Sequence, residues 1–215
     1  MTKFFLALVS LCLFAIPVHA SQQGTVNRCA NIVRQFRAMP EKNIPPSVLR
    51  NAKGLAIITV VKAGFIFSGK GGNGVVIART GHGWSGPSFI GTGGAGWGFQ
   101  IGAEVTDFIF VLNNDRAVQA FAKKGNVTLG VDASVAAGPV GRDAHAGVTP
   151  TAAIYTYSLT KGLFAGAALE GAVLATGSSA NAEYYGRQVY ARDILTGKVP
   201  PPPGAASLRA ALKGD

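Results

Sequence analysis

The stretch GKGGNGVVIARTGHGWSGPSFIGTGGAGWGFQIG, residues 69–102, decides how the fold of this chain is interpreted. It holds 13 of the 29 glycines, and two strings in it fit the pattern G-x-G-x-x-G. A dinucleotide site needs a strand, the glycine turn and then a helix whose N-terminus faces the pyrophosphate. Strand-forming VVIA at 75–78 follows the first string, and non-helical WGFQIG at 97–102 follows the second. The block therefore predicts hairpin turns and a sheet bend, not a nucleotide site.

Residues on both sides of this block predict a sheet. Apolar and β-branched runs are separated by glycine corners, and inward and outward residues alternate from 127 to 135, which is typical of a half-buried strand. Glycines and small residues let a sheet bend and pack closely. We predict an α+β domain with a curved antiparallel sheet, capable of closing like a barrel, and short helices at both ends. The predicted strands are 55–61, 65–68, 75–79, 84–90, 104–112, 127–135, 152–159 and 163–174.

Helices are predicted near both ends of the chain. The first has apolar residues at helical spacing and a basic polar face that includes Arg28, Arg34 and Arg37. Its apolar side can pack on the domain or lie on an anionic membrane. Prolines at 200–203 predict an extended tail. The apolar positions of the first helix are Val26, Cys29, Ala30, Val33 and Phe36, and further helices are predicted at 47–52, 115–124, 180–189 and 191–195.

The first 20 residues have the pattern of a targeting segment. Lys3 supplies a positive start, and residues 4–16 form an apolar run too short to span a bilayer comfortably. Val18 and Ala20 place small residues at the two positions that a signal peptidase reads. We predict cleavage after Ala20 and export to a secreted or periplasmic location, peripheral on membranes; the alternative is an uncleaved anchor. The predicted division is 1–20 signal peptide, 21–40 amphipathic helix, 41–199 core of the domain and 200–215 Pro-rich tail.

The charge of the chain points to anionic partners. There are 20 Lys and Arg against 10 Asp and Glu, and Lys3 is the only charged residue among the first 20, so the remainder carries 19 basic and 10 acidic side chains, a charge of +9. Such an excess favours lipid, nucleic acid or an acidic protein surface. RNA-binding domains usually add stacking aromatic residues in a recognisable sheet motif. This sequence lacks one, so nucleic acid is not predicted.

The sequence offers little catalytic or metal-binding chemistry. His82 and His145 fall in predicted loops, and the string GWSGP lacks the spacing G-x-S-x-G of a nucleophile elbow. Glu104 and Asp107 have opposite strand parity, so they should face opposite sides of a sheet and not act as an acid–base pair. Cys29 lies on the apolar helical face and is predicted to be a buried structural thiol. We expect no enzyme, metal, cofactor or small-molecule substrate.

Four long stretches resemble the SYLF domain family. They are IPPSVLRNAKGLAIITVVKAGFIFSGKGGNGVVIAR (44–79), WSGPSFIGTGGAGWGFQIGAEVTDFIFVLNNDRAVQAFAKKGNVTLGVDASVAAGPVGR (84–142), AAIYTYSLTKGLFAGAALEGAVL (152–174) and YYGRQVYARDILTGKVPPP (184–202). The resemblance covers nearly all of residues 26–212, in long and distinctive motifs.

The resemblance to the SYLF family implies a lipid-binding module that is not an enzyme. Eukaryotic members look like phosphoinositide binders, yeast members with an SH3 domain also bind and bundle actin at endocytic sites, and exported bacterial members bind lipid more generally. The family's lipid binding is attributed to an N-terminal amphipathic helix and to basic residues. The resemblance thus implies anionic phospholipid as the partner, with an actin-binding cytoskeletal adaptor as the alternative. The matching residues here are Arg28, Arg34, Arg37, Lys53, Lys62 and Lys70.

Overall fold

The computed structural model describes residues 21–39, 44–64, 67–97, 102–123, 125–139, 152–161 and 172–213. Helices α1 (Gln22–Ala38) and α2 (Pro46–Asn51) precede the strands β1 (Gly54–Gly64), β2 (Phe67–Thr80), β3 (Gly83–Trp84), β4 (Ser88–Trp97) and β5 (Gly102–Leu112). Helix α3 (Asp115–Ala122) leads to the strands β6 (Asn126–Thr128), β7 (Val135–Ala137), β8 (Ile154–Lys161) and β9 (Val173–Thr176). Helices α4 (Ser178–Tyr185) and α5 (Ala191–Leu195), a 3-10 turn (Pro203–Ala205) and helix α6 (Ala206–Lys213) follow.

The nine strands of the described residues form one sheet. Their order is β6-β9-β4-β2-β1-β5-β8-β7, and β3 pairs with β2 outside this path. Neighbouring strands are antiparallel except β7 and β8, which are parallel. The sheet curls strongly into a half-barrel with short helices around it. The predicted α+β class with a curved antiparallel sheet is confirmed.

Alternation along β1 assigns its side chains to two cores on opposite faces of the sheet. Leu55 and Ile57 pack with residues of α1 and α6, on what we call the α1 face. Ala56 and Ile58 pack with residues of α3 and α5, on what we call the α3 face. All four are fully buried. Because burying one large aliphatic side chain stabilises a fold by about 1.5–3 kcal/mol, the two cores dominate its stability.

Helix α1 lies on the sheet. It begins at Ser21, whose hydroxyl accepts a hydrogen bond from Gly24 N at 3.0 Å, a normal N-cap. The five positions predicted to form its apolar side are all buried, at most 3% exposed. Of the two uses that the sequence left open for this side, the structure therefore supports packing on the domain. These positions are Val26, Cys29, Ala30, Val33 and Phe36.

The two glycine strings, residues 69–74 and 91–96, lie in strands. The hairpin turns predicted for them are wrong, because residues 69–74 lie inside β2 and residues 91–96 lie inside β4, paired to each other. A Cβ atom added at Gly74 would clash with Ile57 O on the neighbouring strand. Glycine is thus required there by a close approach of two strand backbones, which suits a strongly curled sheet.

The strand predicted at 127–135 is interrupted by a turn. Gly130 has a φ of +88°, and the carboxylate of Asp132 accepts a hydrogen bond from Thr128 N at 2.6 Å. The chain therefore turns after β6 and resumes as β7, which leaves Val131 80% exposed. A local hydrogen bond from a side chain to the backbone has overridden the alternating pattern.

The C-terminal region contains a helix that the sequence did not predict. The predicted helix at 180–189 is α4, which ends before Gly186 at a φ of +66°. Residues 200–215 were set apart as a Pro-rich tail, and they include α6, whose Leu208 is fully buried in the core of the α1 face. The predicted domain boundaries stay a prediction. The signal peptide at 1–20, His145 and most of the strand at 163–174 lie outside the described residues.

Candidate functional site

Three helices over the α1 face carry basic side chains and no acidic ones. They are α1, α2 and α6, all of whose residues are described. On the α3 face, by contrast, α3 and α5 each carry an aspartate beside an arginine. The nearest helix, α4, brings Glu183 to the margin, where it accepts a hydrogen bond from Gln22 Nε2 at 3.2 Å. We call the six basic residues of α1, α2 and α6 the basic helical surface: Arg28, Arg34, Arg37, Arg50, Arg209 and Lys213.

Hydrogen bonds hold two of these arginines between α1 and α6. Arg34 Nη1 donates to Asn31 Oδ1 at 2.8 Å, and Arg34 Nη2 donates to Ser207 O at 3.4 Å. Arg37 Nη2 donates to Leu212 O at 3.5 Å. All of these acceptors are neutral, so the bonds position the positive charges without neutralising them. The surface therefore remains positively charged.

Contacts around Trp84 join α2 and α6 to the sheet. The guanidinium of Arg79 lies 4.4 Å from the centroid of the Trp84 ring, and Arg79 Nη2 donates to Leu49 O at 3.1 Å. Arg209 Nε donates to Trp84 O at 3.0 Å. Arg79 N also donates to Lys53 O at 2.8 Å. Lys53 and Arg79, both exposed, therefore lie beside the basic helical surface.

Arg28 borders a cavity of about 320 Å³ on the α1 face. Arg28 Nη2 donates a short hydrogen bond to Asn73 Oδ1, whereas Arg28 Nε is buried and has no hydrogen-bond partner within the described residues. Thr59, Val61 and Gly71 line other parts of the cavity. Since a charged donor forms strong hydrogen bonds with an anion, the cavity can accept a small anionic group beside Arg28.

Two buried carboxylates lie on opposite faces of the sheet, as their strand parity predicted. Asp107, 6% exposed, accepts a hydrogen bond from Thr59 Oγ1 at 2.6 Å and shares the parity of Ile109 on the α1 face. Glu104, 7% exposed, accepts one from Thr106 Oγ1 at 2.7 Å on the α3 face. The sheet separates the two carboxylates, so they do not form an acid–base pair.

Lys62 and Lys70 lie away from the basic helical surface. They are opposite each other on β1 and β2, and Lys62 is also opposite Glu104 on β5. Lys62 shares the strand parity of Ile58, which places the two lysines on the α3 face. Lys53 lies beyond the other end of β1, about 30 Å from Lys62 along the strand. The six residues predicted to bind lipid therefore do not form one patch. Arg34 and Arg37 lie against α6, whereas Arg28 is bonded to Asn73 of β2. Lys62 and Lys70 lie together on the α3 face, and Lys53 lies beyond the far end of β1.

Residues with catalytic potential are dispersed in the described part of the chain. His82 lies exposed in the turn between β2 and β3. Cys29 is fully buried, donates to Ile57 O at 3.5 Å and has a pKa raised to about 12 by burial, against a smaller lowering by Arg28. The prediction of a buried structural thiol is confirmed. Among the described residues no group of three His, Cys, Asp or Glu could hold a metal, and none of their helices is long and apolar enough to cross a membrane.

Sequence reasoning missed Arg50, Arg209 and Lys213 as members of this surface. Two features of the sequence could have pointed to Arg209 and Lys213. Leu208 and Leu212 recur at helical spacing after the prolines, and no acid occurs between them. The pairing of α6 with α1 could not be inferred, because it joins residues more than 170 positions apart, such as Arg34 and Ser207 at a separation of 173.

Comparison with known proteins matches this chain to one family. A family model for Ysc84, described as "Las17-binding protein actin regulator", matches residues 93–214. The SH3 domain-containing YSC84-like protein 1 of Homo sapiens is 45% identical over 200 residues, which are 89% of this chain and 58% of that protein. Protein YSC84 of Saccharomyces cerevisiae is 43% identical over 208 residues, 92% of this chain and 44% of that protein. The LAS seventeen-binding protein 3 of the same yeast is 43% identical over 208 residues, 92% of this chain and 45% of that protein.

These comparisons contradict the predicted location. Export through a cleaved signal peptide would put the protein outside the cytosol, whereas the matching family is described as an actin regulator, and actin is a cytosolic protein. The prediction of a secreted or periplasmic protein is therefore wrong.

The comparisons confirm the resemblance to the SYLF family. The family model covers more than half of the residues, and the similarity to the human and yeast relatives covers 89% and 92% of this chain. The chain spans about half the length of these relatives. It belongs to the Ysc84 (SYLF) family of Las17-binding actin regulators.

Proposed function

We propose that this chain is a non-enzymatic binding module of the actin cytoskeleton that contacts an acidic face of the actin filament through the basic helical surface. The observation that carries the proposal is the concentration of six basic and no acidic residues on α1, α2 and α6 in a chain of the actin-regulator family. Partners named for the longer relatives, such as Las17, are a further proposal for this chain, which spans about half of them.

The construction of the surface suits this role. Arg34, Arg50 and Lys213 are exposed, and neighbouring arginines are held by neutral carbonyl and amide acceptors. Exposed charges of one sign accelerate association with an oppositely charged partner and make it sensitive to salt. They also exclude partners of like charge. A basic surface on packed helices can therefore select an acidic filament without a deep pocket.

Co-sedimentation with filamentous actin tests the proposal. The full chain is expected to pellet with filaments at low salt and progressively less as ionic strength rises. Arg34→Glu, Arg50→Glu and Lys213→Glu should each raise the Kd about thirtyfold, because each reversal changes the charge by two units and each unit near an anionic surface contributes about 1 kcal/mol. The matched control is Arg116→Glu, an exposed charge reversal on α3, which should leave the Kd unchanged. Equal pelleting of all four variants, or none by the unmodified chain, would exclude this mode of binding.

A second candidate function, binding of an anionic phospholipid headgroup of the phosphoinositide type, is favoured by the cavity beside Arg28. Arg28 lines this cavity, and its buried Nε has no hydrogen-bond partner within the described residues. The neighbouring basic side chains would add attraction to an anionic membrane. The apolar side of α1 is buried, so the contact would be made by charge and hydrogen bonds. Arg34 and Arg37 would add attraction from the same helix, and the three lysines of the original prediction would add it elsewhere.

Vesicle flotation separates this second function from the first. Vesicles of neutral lipid alone are compared with vesicles that also contain a phosphoinositide or phosphatidylserine. Arg28→Gln should abolish a preference for the phosphoinositide, whereas Arg34→Glu should weaken binding to both anionic vesicles alike. Lys62→Glu and Lys70→Glu test the α3 face in the same assay, with Arg116→Glu as the control. Equal recovery with neutral and anionic vesicles would rule the lipid function out and leave the actin proposal untouched.

A further inference from the structure

We infer that the groove between α3 and α5 is a second docking site, for a segment of a partner protein that presents large aliphatic side chains next to carboxylates. The groove has a volume of about 810 Å³ and is partly open to solvent. It lies on the α3 face, so the sheet separates it from the basic helical surface. This inference does not depend on the proposed binding of actin.

The floor of the groove is aliphatic. Val118 and Ala122 of α3 and Leu195 of α5 line it, and all three pack against the core of the α3 face. These side chains offer carbon atoms only, which would bury an aliphatic side chain favourably, at about 25 cal/mol for each Å² removed from water. A small polar ligand would need converging hydrogen-bonding groups in such a floor.

The rim of the groove is basic and aromatic. Lys123 and Arg192 are exposed on opposite sides of it, and Tyr190 is 61% exposed at the start of α5. The one carboxylate of the lining, Asp193, lies 4.0 Å from Lys198 Nζ, so its charge is partly balanced. The rim therefore has a net positive charge that complements carboxylates on the occupant.

The residue types on this rim favour a protein occupant. Tyrosine and arginine are enriched among the residues that dominate protein–protein binding energy, because both combine a large contact area with hydrogen bonds. Here both are attached to a short helix that is well anchored: Ile194 is fully buried, and Thr196 Oγ1 donates to Arg192 O at 2.8 Å. An anchored rim loses little conformational freedom when a partner docks.

Fluorescence anisotropy with a labelled peptide tests the site on the full chain. The probe is the decapeptide EELLEELLEE, and the comparison peptides are EESSEESSEE, which keeps the charge, and KKLLKKLLKK, which keeps the leucines. Only the first should bind. Arg192→Glu and Ala122→Arg should each weaken its binding at least fivefold, by reversing the rim charge and by filling the floor. Arg116→Glu, which lies on α3 with Ala122 but outside the groove, should bind the peptide as the unmodified chain does.

Several results would overturn the inference. Absence of saturable binding by EELLEELLEE, equal binding by the serine peptide, or equal binding by all variants would each do so. If the unmodified chain binds phosphatidylserine vesicles and Ala122→Arg does not, the groove is a membrane-binding site. If sedimentation velocity shows a dimer of the unmodified chain that Ala122→Arg abolishes, the groove binds a second copy of the chain. Since Arg192 is exposed, Arg192→Glu keeps the test valid if Ala122→Arg fails to fold, which circular dichroism would show.

Discussion

The guanidinium of Arg79 lies 4.4 Å from the centroid of the Trp84 ring, directly across the β2–β3 pair. The same arginine donates to Leu49 O in α2, and Trp84 O accepts from Arg209 in α6. One cation–π pair thus links the sheet to two of the helices that carry the basic helical surface. The position of the basic helical surface therefore depends on contacts made by Arg79 and Arg209 themselves.

Replacing Arg79 with alanine should lower the free energy of unfolding by about 1–2 kcal/mol. The variant loses a cation–π contact worth about 0.5–1 kcal/mol at an exposed site and a hydrogen bond of about 0.5–1.5 kcal/mol. Arg79→Lys keeps the charge but not the planar stacking, so its free energy of unfolding should lie between those of the unmodified protein and Arg79→Ala. Urea unfolding measures both, and Arg116→Ala serves as an exposed control. No difference between Arg79→Ala and the control would mean that the stacking adds nothing to stability.

Gly74→Ala should destabilise the protein by about 3 kcal/mol or more. A methyl group there meets the carbonyl oxygen of Ile57, so β1 and β2 would have to separate locally. Gly69→Ala is the matched control on the same strand, because an added Cβ meets nothing within 4 Å. It should change stability by less than about 1 kcal/mol. Thermal or urea unfolding of both variants checks this, and equal stabilities would contradict the packing described for β2.

Leu208→Ala should cost about 2–5 kcal/mol, the usual range for truncating a fully buried leucine. The change removes a side chain of α6 from the core that α6 shares with α1. Ala210→Ser, on the exposed side of the same helix, should be close to neutral. If residues 206–213 were only a terminal spacer, the two variants would unfold at the same urea concentration.

Stability should decrease as the pH rises from about 9 toward 12. Burial raises the pKa of Cys29 from 9.0 to about 12 and that of Tyr184 from 10.0 to about 12. The unfolded chain loses these protons first, so above pH 9 the folded state binds more protons and its free energy of unfolding falls with pH. Urea midpoints at pH 8, 9.5 and 11 measure the decline, and absorbance at 295 nm follows tyrosine ionisation.

The matched variant for the alkaline decline is Tyr184→Phe, which removes one ionisable group from a packed ring. The Tyr184 hydroxyl is buried without a hydrogen-bond partner in the described part of the chain, so its loss should cost little at pH 8. The urea midpoint of Tyr184→Phe should fall less between pH 9.5 and 11 than that of the unmodified protein. A midpoint that does not change with pH in the unmodified protein would refute the assigned pKa direction.

Local patterns in the sequence predicted several features correctly. The spacing of Val26, Cys29 and Phe36 identified the buried side of α1, since residues three and four apart share one face of a helix. Parity alone separated Glu104 from Asp107 across the sheet. In both cases the answer depends on backbone geometry within one element, which a sequence pattern records directly.

Other predictions failed where two conformations suit the same residues. Glycine is compatible with a turn and with a closely packed strand, and the contact between Gly74 and Ile57 O that selects the strand exists only once β1 lies beside β2. The interrupted strand at 127–135 failed similarly, because a hydrogen bond to Asp132 competes with the sheet. The predicted export failed for a different reason: a short apolar segment is a weak signal compared with a match over most of the chain to a family described as actin regulators.

By itself, the sequence determined the fold class, the buried side of α1, the family and the excess of positive charge. Only the tertiary structure decided where that charge lies. It brought Arg34 and Arg37 of α1 together with α6 across some 170 residues and sent Lys62 and Lys70 to the opposite face. The physical reason is that periodicity and parity act within one element, whereas a surface forms when long-range burial of apolar side chains, such as Leu208 against α1, places two elements side by side.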